Sequence, residues 1–187
     1  MNYLNEIKKS MDLLIKNNYY IIGQNVKYGG TSMFHTLTEF PEHRKLELPV
    51  TEEMQAGIAT GMSLNGFNVC SIYPRMDFLI LSLNQIINHL DKAEEMSDGQ
   101  FKPRIIIRTC VGSVKPMMPG PQHCQNYTKA LKHMVTNIEI RELLKTEEVF
   151  NAYKEAVNSD KSFIIIEHSD LYNSDVKERI KESKDVA

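Results

Sequence analysis

The sequence lacks the features of several protein classes. None of its apolar runs is long enough to span a membrane, and residues Met1 to Lys9 contain no apolar signal core, so we expect neither membrane insertion nor export. Its 22 basic and 24 acidic residues are well mixed and form no basic stripe of the kind that follows nucleic acid. We therefore expect no nucleic-acid partner and no membrane partner.

Cysteine is scarce as well. Cys70, Cys110 and Cys124 are odd in number and far apart in sequence, which argues against a disulfide framework and against a zinc site. No histidine stands at the spacing of a known catalytic motif, so we expect each cysteine to be a small residue of the core or of a site wall. A reducing cytoplasm is the location that this cysteine usage favours.

The sequence does contain a regular alternation of strand and helix patterns. Buried strands are predicted at 19–23, 46–50, 69–73, 104–109, 137–140 and 162–167. Helices are predicted at 3–17, 33–40, 51–64 and 146–158, from 78 to a close at 96–100, and after His123, with a charged terminal helix at 173–187. The alternation predicts an α/β fold in which helices cover both faces of a doubly wound, mainly parallel sheet. With 42% hydrophobic residues, the chain from 1 to 187 fits a single domain.

The stretch from residue 46 to residue 66 is the most informative part of the chain. An apolar strand is predicted to end at Val50, Thr51 is suited to cap a helix, and Glu52 and Glu53 follow in the first helical turn. In open α/β sheets ligands bind at the carboxyl ends of the strands, where this helix would begin. The two acids are therefore candidates for a binding or catalytic site.

The pattern of the same helix favours one further expectation. Met54, Ile58 and Met62 lie on one stripe and Gly57 and Gly61 on another, so we expect the helix to be packed on two sides and an acid at its start to be partly shielded from water. Such a carboxylate is a candidate acid/base. The alternative is that both acids are exposed and interact only with the helix dipole.

Other chemistry-bearing residues also follow predicted strands. Tyr73 and Phe78 flank the start of the helix after the third strand, and His123 ends a long loop, rich in proline and glycine, after the fourth strand. Each has an ordinary alternative, since Phe78 is also placed to begin a core stripe and a loop histidine is often a surface residue. The Gly29-Gly30 pair follows the first strand but lacks the sequence of a phosphate-binding loop. Together these features point to one edge of the sheet.

Six short motifs occur in the order of a known family. They are Tyr28-Gly29-Gly30, Leu48-Pro49-Val50-Thr51-Glu52, Ala56-Gly57-Ile58-Ala59, Asn84-Gln85-Ile86-Ile87-Asn88, Met96-Ser97-Asp98-Gly99-Gln100 and Gly120-Pro121-Gln122-His123. The chain thereby resembles the pyrimidine-binding domain of thiamine-diphosphate enzymes. It is most similar to the beta subunit of 2-oxoacid dehydrogenases and, more loosely, to transketolase.

The resemblance implies a role for four residues. Glu52 matches the family carboxylate that hydrogen-bonds a ring nitrogen of the aminopyrimidine, and Phe78 matches the aromatic residue that packs on that ring, with Tyr73 as a second candidate. His123 matches a family histidine on the substrate side. The implied catalytic residues are Glu52 and His123, the implied cofactor is thiamine diphosphate with Mg²⁺, and no metal ligand is assigned to this chain.

Two departures from the family define the expected partner. The Gly-Asp-Gly and Asn motif that holds the diphosphate and magnesium is absent from the sequence, and no second domain follows, so the resemblance implies a separate diphosphate-binding subunit in a heterotetramer of two plus two chains. Arg75-Met76-Asp77 replaces the usual Thr-Phe-Asn, which affects the acceptor side of the pocket.

Three functions remain open at this point. The first is a split transketolase-like or dehydrogenase-like enzyme that carries out ketol or acyl transfer on a keto sugar or a 2-oxoacid. The second is a subunit of a two-chain 2-oxoacid decarboxylase. The third is a non-catalytic interaction domain that retains the fold, because a fold alone does not establish an activity.

Overall fold

The computed structural model describes residues 2–114 and 118–172, and the strands described form one six-stranded sheet. The strands are β1 (Tyr19–Gly23), β2 (Lys45–Glu47), β3 (Asn68–Tyr73), β4 (Ile105–Val111), β5 (Glu139–Glu142) and β6 (Phe163–His168). Their order across the sheet is β2-β1-β3-β4-β6-β5, and all neighbouring strands are parallel. The predicted α/β fold with a parallel sheet is confirmed.

The helices alternate with these strands. They are α1 (Tyr3–Lys16), α2 (Glu52–Leu64), α3 (Met76–Leu79), α4 (Ala93–Met96), α5 (Thr128–Met134), α6 (Thr146–Asn158) and α7 (Ser169–Tyr172). No helix in the described ranges has the length and apolar character needed to cross a membrane. The helix predicted at 173–187 lies outside the described residues.

Two hydrophobic layers lie on opposite faces of the sheet. Alternate residues of β4 point to opposite sides, so that Ile106 and Cys110 pack with α1 and α6, while Ile105 and Ile107 pack with α2 and α5. Strands that are buried on both faces read as continuous apolar runs, and this explains why their positions were recognisable in the sequence.

The region predicted as one long helix from 78 to 96–100 is divided into shorter segments. It consists of α3, a 3₁₀ turn at Ile80–Ser82, a π-helical segment at Gln85–Leu90 and α4. Ser82 Oγ donates to the carbonyl of Leu79 at 2.7 Å, and the amide of Asp91 donates to the carbonyl of Ile86 at 2.9 Å. These local bonds replace the α-helical pattern that apolar periodicity alone predicts.

Two other boundaries differ from the prediction. The helix predicted at 33–40 is only a 3₁₀ turn at Phe34–Thr36, because Thr36 Oγ1 bonds the carbonyl of Met33. The strand predicted at 46–50 ends at Glu47, and its last contact with β1 is the Leu48 amide on the Gly23 carbonyl at 2.8 Å. Pro49 has no amide hydrogen with which to continue the ladder.

A buried ion pair links β4 to β6. Arg108 donates to both carboxylate oxygens of Glu167 at 2.6 and 2.9 Å, and neither residue is exposed to solvent. The hydroxyls of Tyr153 and Tyr172 also donate to Glu167, and Arg108 donates to Thr36 Oγ1 at 2.9 Å. The network therefore joins two strands to α6, to α7 and to the loop after β1.

We expect Glu167→Gln to lower the free energy of unfolding by about 3–5 kcal/mol, because it leaves the guanidinium buried without a counter-charge. Chemical denaturation measures this loss. The matched control is Glu155→Gln, which breaks a similarly two-bonded but partly exposed pair with Arg141 and should cost at most about 1 kcal/mol. Equal losses in the two variants would contradict the structural importance of the buried pair.

Asp91 links the end of the π-helical segment Gln85–Leu90 to the residues just before β5 through hydrogen bonds. Its carboxylate accepts the amides of Thr136, Asn137 and Ile138 at 2.7–3.1 Å and contacts Lys92 Nζ at 2.9 Å. Burial raises the pKa of Asp91, but the hydrogen bonds from Lys92, Asn137 and Thr136 outweigh burial and hold the pKa below its usual value. The ionised form is therefore stabilised by folding.

The Asp91 carboxylate should make stability depend on pH. Because its pKa is lower in the folded chain, its contribution is complete above the unfolded pKa of about 3.9 and is lost as the pH falls through the folded value. We expect Asp91→Asn to destabilise the chain at neutral pH by about 1–3 kcal/mol and to flatten the loss of stability in acid. Denaturation between about pH 5 and about pH 2 checks this, with the exposed Asp12→Asn as the control. An unchanged acid slope in Asp91→Asn would contradict it.

Candidate active site

The carboxyl ends of four adjacent strands bring the predicted features to one edge of the sheet. The loop with Gly29 and Gly30 follows β1, Glu52 follows β2, Phe78 follows β3 and His123 lies in the loop after β4. The chain leaves β1 toward β2 and leaves β3 in the opposite direction toward β4, so a switch point lies between β1 and β3. Such a point is where open α/β sheets form a ligand crevice.

The two acids at the start of α2 have different surroundings. Glu52 is only 5% exposed, and no hydrogen bond to its carboxylate is found among residues 2–114 and 118–172. Glu53 is exposed and accepts Asn84 Nδ2 at 3.0 Å and Gln85 Nε2 at 3.5 Å, and these bonds lower its pKa. The structure thus distinguishes a buried acid without a described partner from an exposed, bonded one.

Helix α2 packs against the sheet on one side and against the turn Ile80–Ser82 and the segment Gln85–Leu90 on another, in agreement with the expectation of contacts on two sides. Gln55, Ala56 and Ala59 are buried against the sheet, whereas Met54 is 46% exposed. A Cβ built on Gly61 would have no atom within 4 Å. Met54 and Gly61 therefore mark a side of α2 that is open in the described part of the chain.

Gln55 holds the first turn of α2 against the sheet. Its Nε2 donates to Ser71 Oγ at 3.0 Å and to the carbonyl of Ile72 at 2.8 Å. A Cβ on Gly23 would lie 2.3 Å from that carbonyl oxygen and 3.0 Å from the Gln55 amide nitrogen, so only glycine fits there. Sequence reasoning missed this residue, although its position one turn after Glu52 was a usable signal.

Tyr73 lies beneath Glu52 and not in the open crevice. It is 1% exposed, and its hydroxyl donates to the main-chain carbonyl of Glu52 at 3.3 Å. Burial raises the pKa of Tyr73 to about 12, so the hydroxyl stays protonated and remains a donor. Phe78 is the more exposed of the two aromatic candidates. The burial of Tyr73 favours a role in supporting the main chain at Glu52.

Phe78 and His123 meet at the mouth of the site. Their ring centroids are 5.6 Å apart at an angle of 85°, and both residues are half-buried. The His123 carbonyl accepts Arg75 Nη1 at 3.1 Å, and a Cβ on Gly112 would lie 1.8 Å from the same carbonyl oxygen. Gly112 therefore allows the loop that carries His123 to approach the end of β4. The Nδ1 atom of His123 is buried without a hydrogen-bond partner in the described ranges.

Glu47 anchors the loop with Gly29 and Gly30. Its carboxylate accepts the amides of Asn25, Val26 and Lys27 at 2.7–2.8 Å, which holds the chain after β1 against the end of β2. Sequence reasoning assigned no role to this acid, because the two ends of the contact are 20 or more residues apart.

The surroundings of Cys70 and Cys110 and the placement of the metal-ligating side chains bear on two kinds of site, a thiol nucleophile and a metal centre. Cys70 and Cys110 are buried, as expected for core residues, and burial raises the pKa of both thiols to about 12, so neither is a nucleophile at neutral pH. Within the described ranges no three His, Cys, Asp or Glu side chains are grouped so as to hold a metal ion.

The chain has relatives among characterised proteins, although no family model matches it. It is 27% identical over 165 residues to the pyruvate dehydrogenase E1 component subunit beta of Cyanidium caldarium, covering 84% of this chain and 48% of that protein. It is 30% identical over 170 residues to subunit beta-3 of Oryza sativa subsp. japonica, a chloroplastic protein, covering 88% and 41%. The chain spans about half the length of the curated relatives it matches.

A solved structure shares the fold. A split-gene transketolase, described as an inactive beta4 tetramer, superposes with a TM-score of 0.67 and 15% identity over 88% of this chain and 50% of the other. Together with the relatives, this confirms the predicted resemblance to the pyrimidine-binding domain of thiamine-diphosphate enzymes.

We expect Gly112→Ala to disturb the mouth of the site, because its Cβ would overlap the His123 carbonyl. The variant should lose about 1–3 kcal/mol of stability and change the NMR resonances of the His123 ring. Gly61→Ala is the matched control, since a Cβ meets nothing there and should stabilise α2 by up to about 1 kcal/mol. Unchanged His123 resonances in Gly112→Ala would show that the close approach is not needed.

Proposed function

We propose that this chain is the pyrimidine-binding subunit of a split, two-chain thiamine-diphosphate enzyme. The chain is a relative of pyruvate dehydrogenase E1 beta subunits over about half of their length. The observation that carries the proposal is Glu52, a buried carboxylate with no described hydrogen-bond partner, at the start of a helix on the carboxyl edge of a parallel sheet. A buried acid in such a position is suited to hydrogen-bond a heterocyclic nitrogen.

The residues at this edge fit the pyrimidine half of the cofactor. Thiamine diphosphate supplies a thiazolium carbon acid whose conjugate base adds to a carbonyl and whose ring then accepts electrons. Glu52 would hydrogen-bond the aminopyrimidine ring and thereby promote removal of the thiazolium proton. Phe78 would pack on the ring, Tyr73 would hold the Glu52 main chain in place, and His123 would face the substrate.

The partner subunit would cover the open side of α2 and hold the diphosphate. Val50, Met54 and Leu81 are 74%, 46% and 61% exposed near the start of α2 and the turn that packs against it. Exposed apolar residues of this kind are typical of a protein interface. Mg²⁺ and the diphosphate would be bound mainly by the partner, in a heterotetramer of two plus two chains.

The reaction would cleave a carbon–carbon bond next to a carbonyl group and transfer a ketol or acyl unit from a keto sugar or a 2-oxoacid. The cytoplasm is the location that we propose, although some relatives are named as chloroplastic or mitochondrial proteins. Product analysis distinguishes a transferase, which passes the fragment to an acceptor, from a two-chain decarboxylase, which releases an aldehyde.

We expect Glu52→Gln to slow deuterium exchange at the thiazolium C2 position at least about 100-fold in the complex with the co-purified partner, because the variant lacks the carboxyl that promotes proton removal. Exchange is followed by NMR with added thiamine diphosphate and Mg²⁺. Glu53→Gln is the matched control on the neighbouring residue, which is exposed and bonded to Asn84.

The outcomes of this experiment separate an enzyme from an interaction domain. Exchange that is fast in the wild type and in Glu53→Gln but slow in Glu52→Gln supports the enzyme subunit. Exchange that is equally fast in all three proteins removes Glu52 from catalysis. A wild-type complex without accelerated exchange favours a non-catalytic domain of the same fold.

A further inference from the structure

Arg75 is a half-buried cation without a counter-charge in the described structure. It lies in the turn between β3 and α3, and its Nη1 donates to the carbonyl of His123 at 3.1 Å. Within residues 2–114 and 118–172, no Asp or Glu oxygen forms an ion pair with it. Asp77, the nearest acid in sequence, instead accepts the amide of Gln125 at 3.2 Å.

Two other arginines show what a paired guanidinium looks like in this chain. Arg108 and Arg141 each make two bonds to one carboxylate. A guanidinium presents parallel N–H donors that match a carboxylate or a phosphate. Arg75, in contrast, bonds one main-chain carbonyl and no carboxylate in the described ranges, so it has donors available for an anion from outside the chain.

The position of Arg75 connects this cation to the candidate site. Its own carbonyl accepts the amide of Phe78 at 3.1 Å, and the ring of Phe78 contacts that of His123. A Cβ on Gly112 would lie 2.7 Å from Arg75 Nη1, so the end of β4 forms a close wall on one side. The guanidinium thus lies beside the two residues at the mouth of the crevice.

We propose that Arg75 binds the anionic group of the substrate, either the carboxylate of a 2-oxoacid or the phosphate of a keto sugar, an assignment that rests on the function proposed above. Arg75 is then the residue that restricts the enzyme to anionic substrates. It takes no part in proton removal at the cofactor, which belongs to Glu52.

Arg44 provides a matched control within the same chain. It is also half-buried, also donates Nη1 to a main-chain carbonyl, that of Ile15 at 3.0 Å, and also lacks an ion pair within the described residues. It precedes β2 and so lies at the opposite edge of the sheet. A general attraction of anions to arginine would affect both residues, whereas a substrate site would affect only Arg75.

The first experiment uses the chain alone and needs no partner. The Nε–H resonances of Arg75 and Arg44, assigned with Arg75→Gln and Arg44→Gln, are followed by NMR while pyruvate or inorganic phosphate is added at constant ionic strength. We expect a saturable shift of the Arg75 resonance with one of the two anions, and no saturable shift for Arg44. The anion that saturates at the lower concentration identifies the group as a carboxylate or a phosphate. Parallel, unsaturable shifts of both resonances would overturn the proposal.

The second experiment uses the assembled complex. In Arg75→Gln we expect the KM for the anionic substrate to rise at least about 10-fold, with Arg75→Lys intermediate, while the KM for an uncharged analogue rises far less and thiazolium C2 exchange continues. An equal rise for charged and uncharged substrates would overturn the proposal. Absence of C2 exchange in the wild type would instead refute the proposed function, and the anion titration of the isolated chain would still decide whether Arg75 is an anion site.

Discussion

The buried ion pair between Arg108 and Glu167 is the interaction on which the arrangement of the site depends. It lies between β4 and β6, the strands whose ends carry the loop with His123 and the short helix α7. Beyond the pair, Ser169 Oγ donates to the carbonyl of Val111, and Asp170 accepts Ser113 Oγ at 2.5 Å, so α7 holds the start of that loop. A pair of charges that bond only in one alignment favours one register of two neighbouring strands, and that register positions the wall of the site.

A second constraint operates at the other side of the crevice, where the start of α2 is held by contacts from the sheet. Gln55 bonds the Ile72 carbonyl and Tyr73 bonds the Glu52 carbonyl, so the main chain of the first turn is fixed from below. Glu52 faces this buried side and Glu53 faces solvent, although the two are adjacent in sequence. The two acids are of the same residue type and differ in burial and in hydrogen bonding.

The described chain contains several groups whose partners are not found within it. The Glu52 carboxylate has no hydrogen bond, the Arg75 guanidinium has no counter-charge, and a Cβ on Gly61 of α2 would meet no atom within 4 Å, in each case as judged from residues 2–114 and 118–172. All belong to the carboxyl edge or to the helix that begins there. Unbonded charged groups at the carboxyl edge of a parallel sheet are consistent with a site that a ligand and a second chain complete.

The sequence by itself determined the fold class, the order of the strands along the chain and the candidate edge, because buried parallel strands and amphipathic helices leave local patterns that can be read residue by residue. Ordered motifs also identified Glu52, Phe78 and His123 as candidates. Tertiary structure alone decided that Glu52 is the buried acid, that Tyr73 is a support beneath it, that Gly112 admits the His123 loop and that Arg75 has no described counter-charge. It also decided the division of the long helix predicted to begin at residue 78 into 3₁₀ and π-helical segments. These properties depend on contacts between residues that are distant in sequence, or on local hydrogen bonds that compete with the helix, and apolar periodicity carries no information about either.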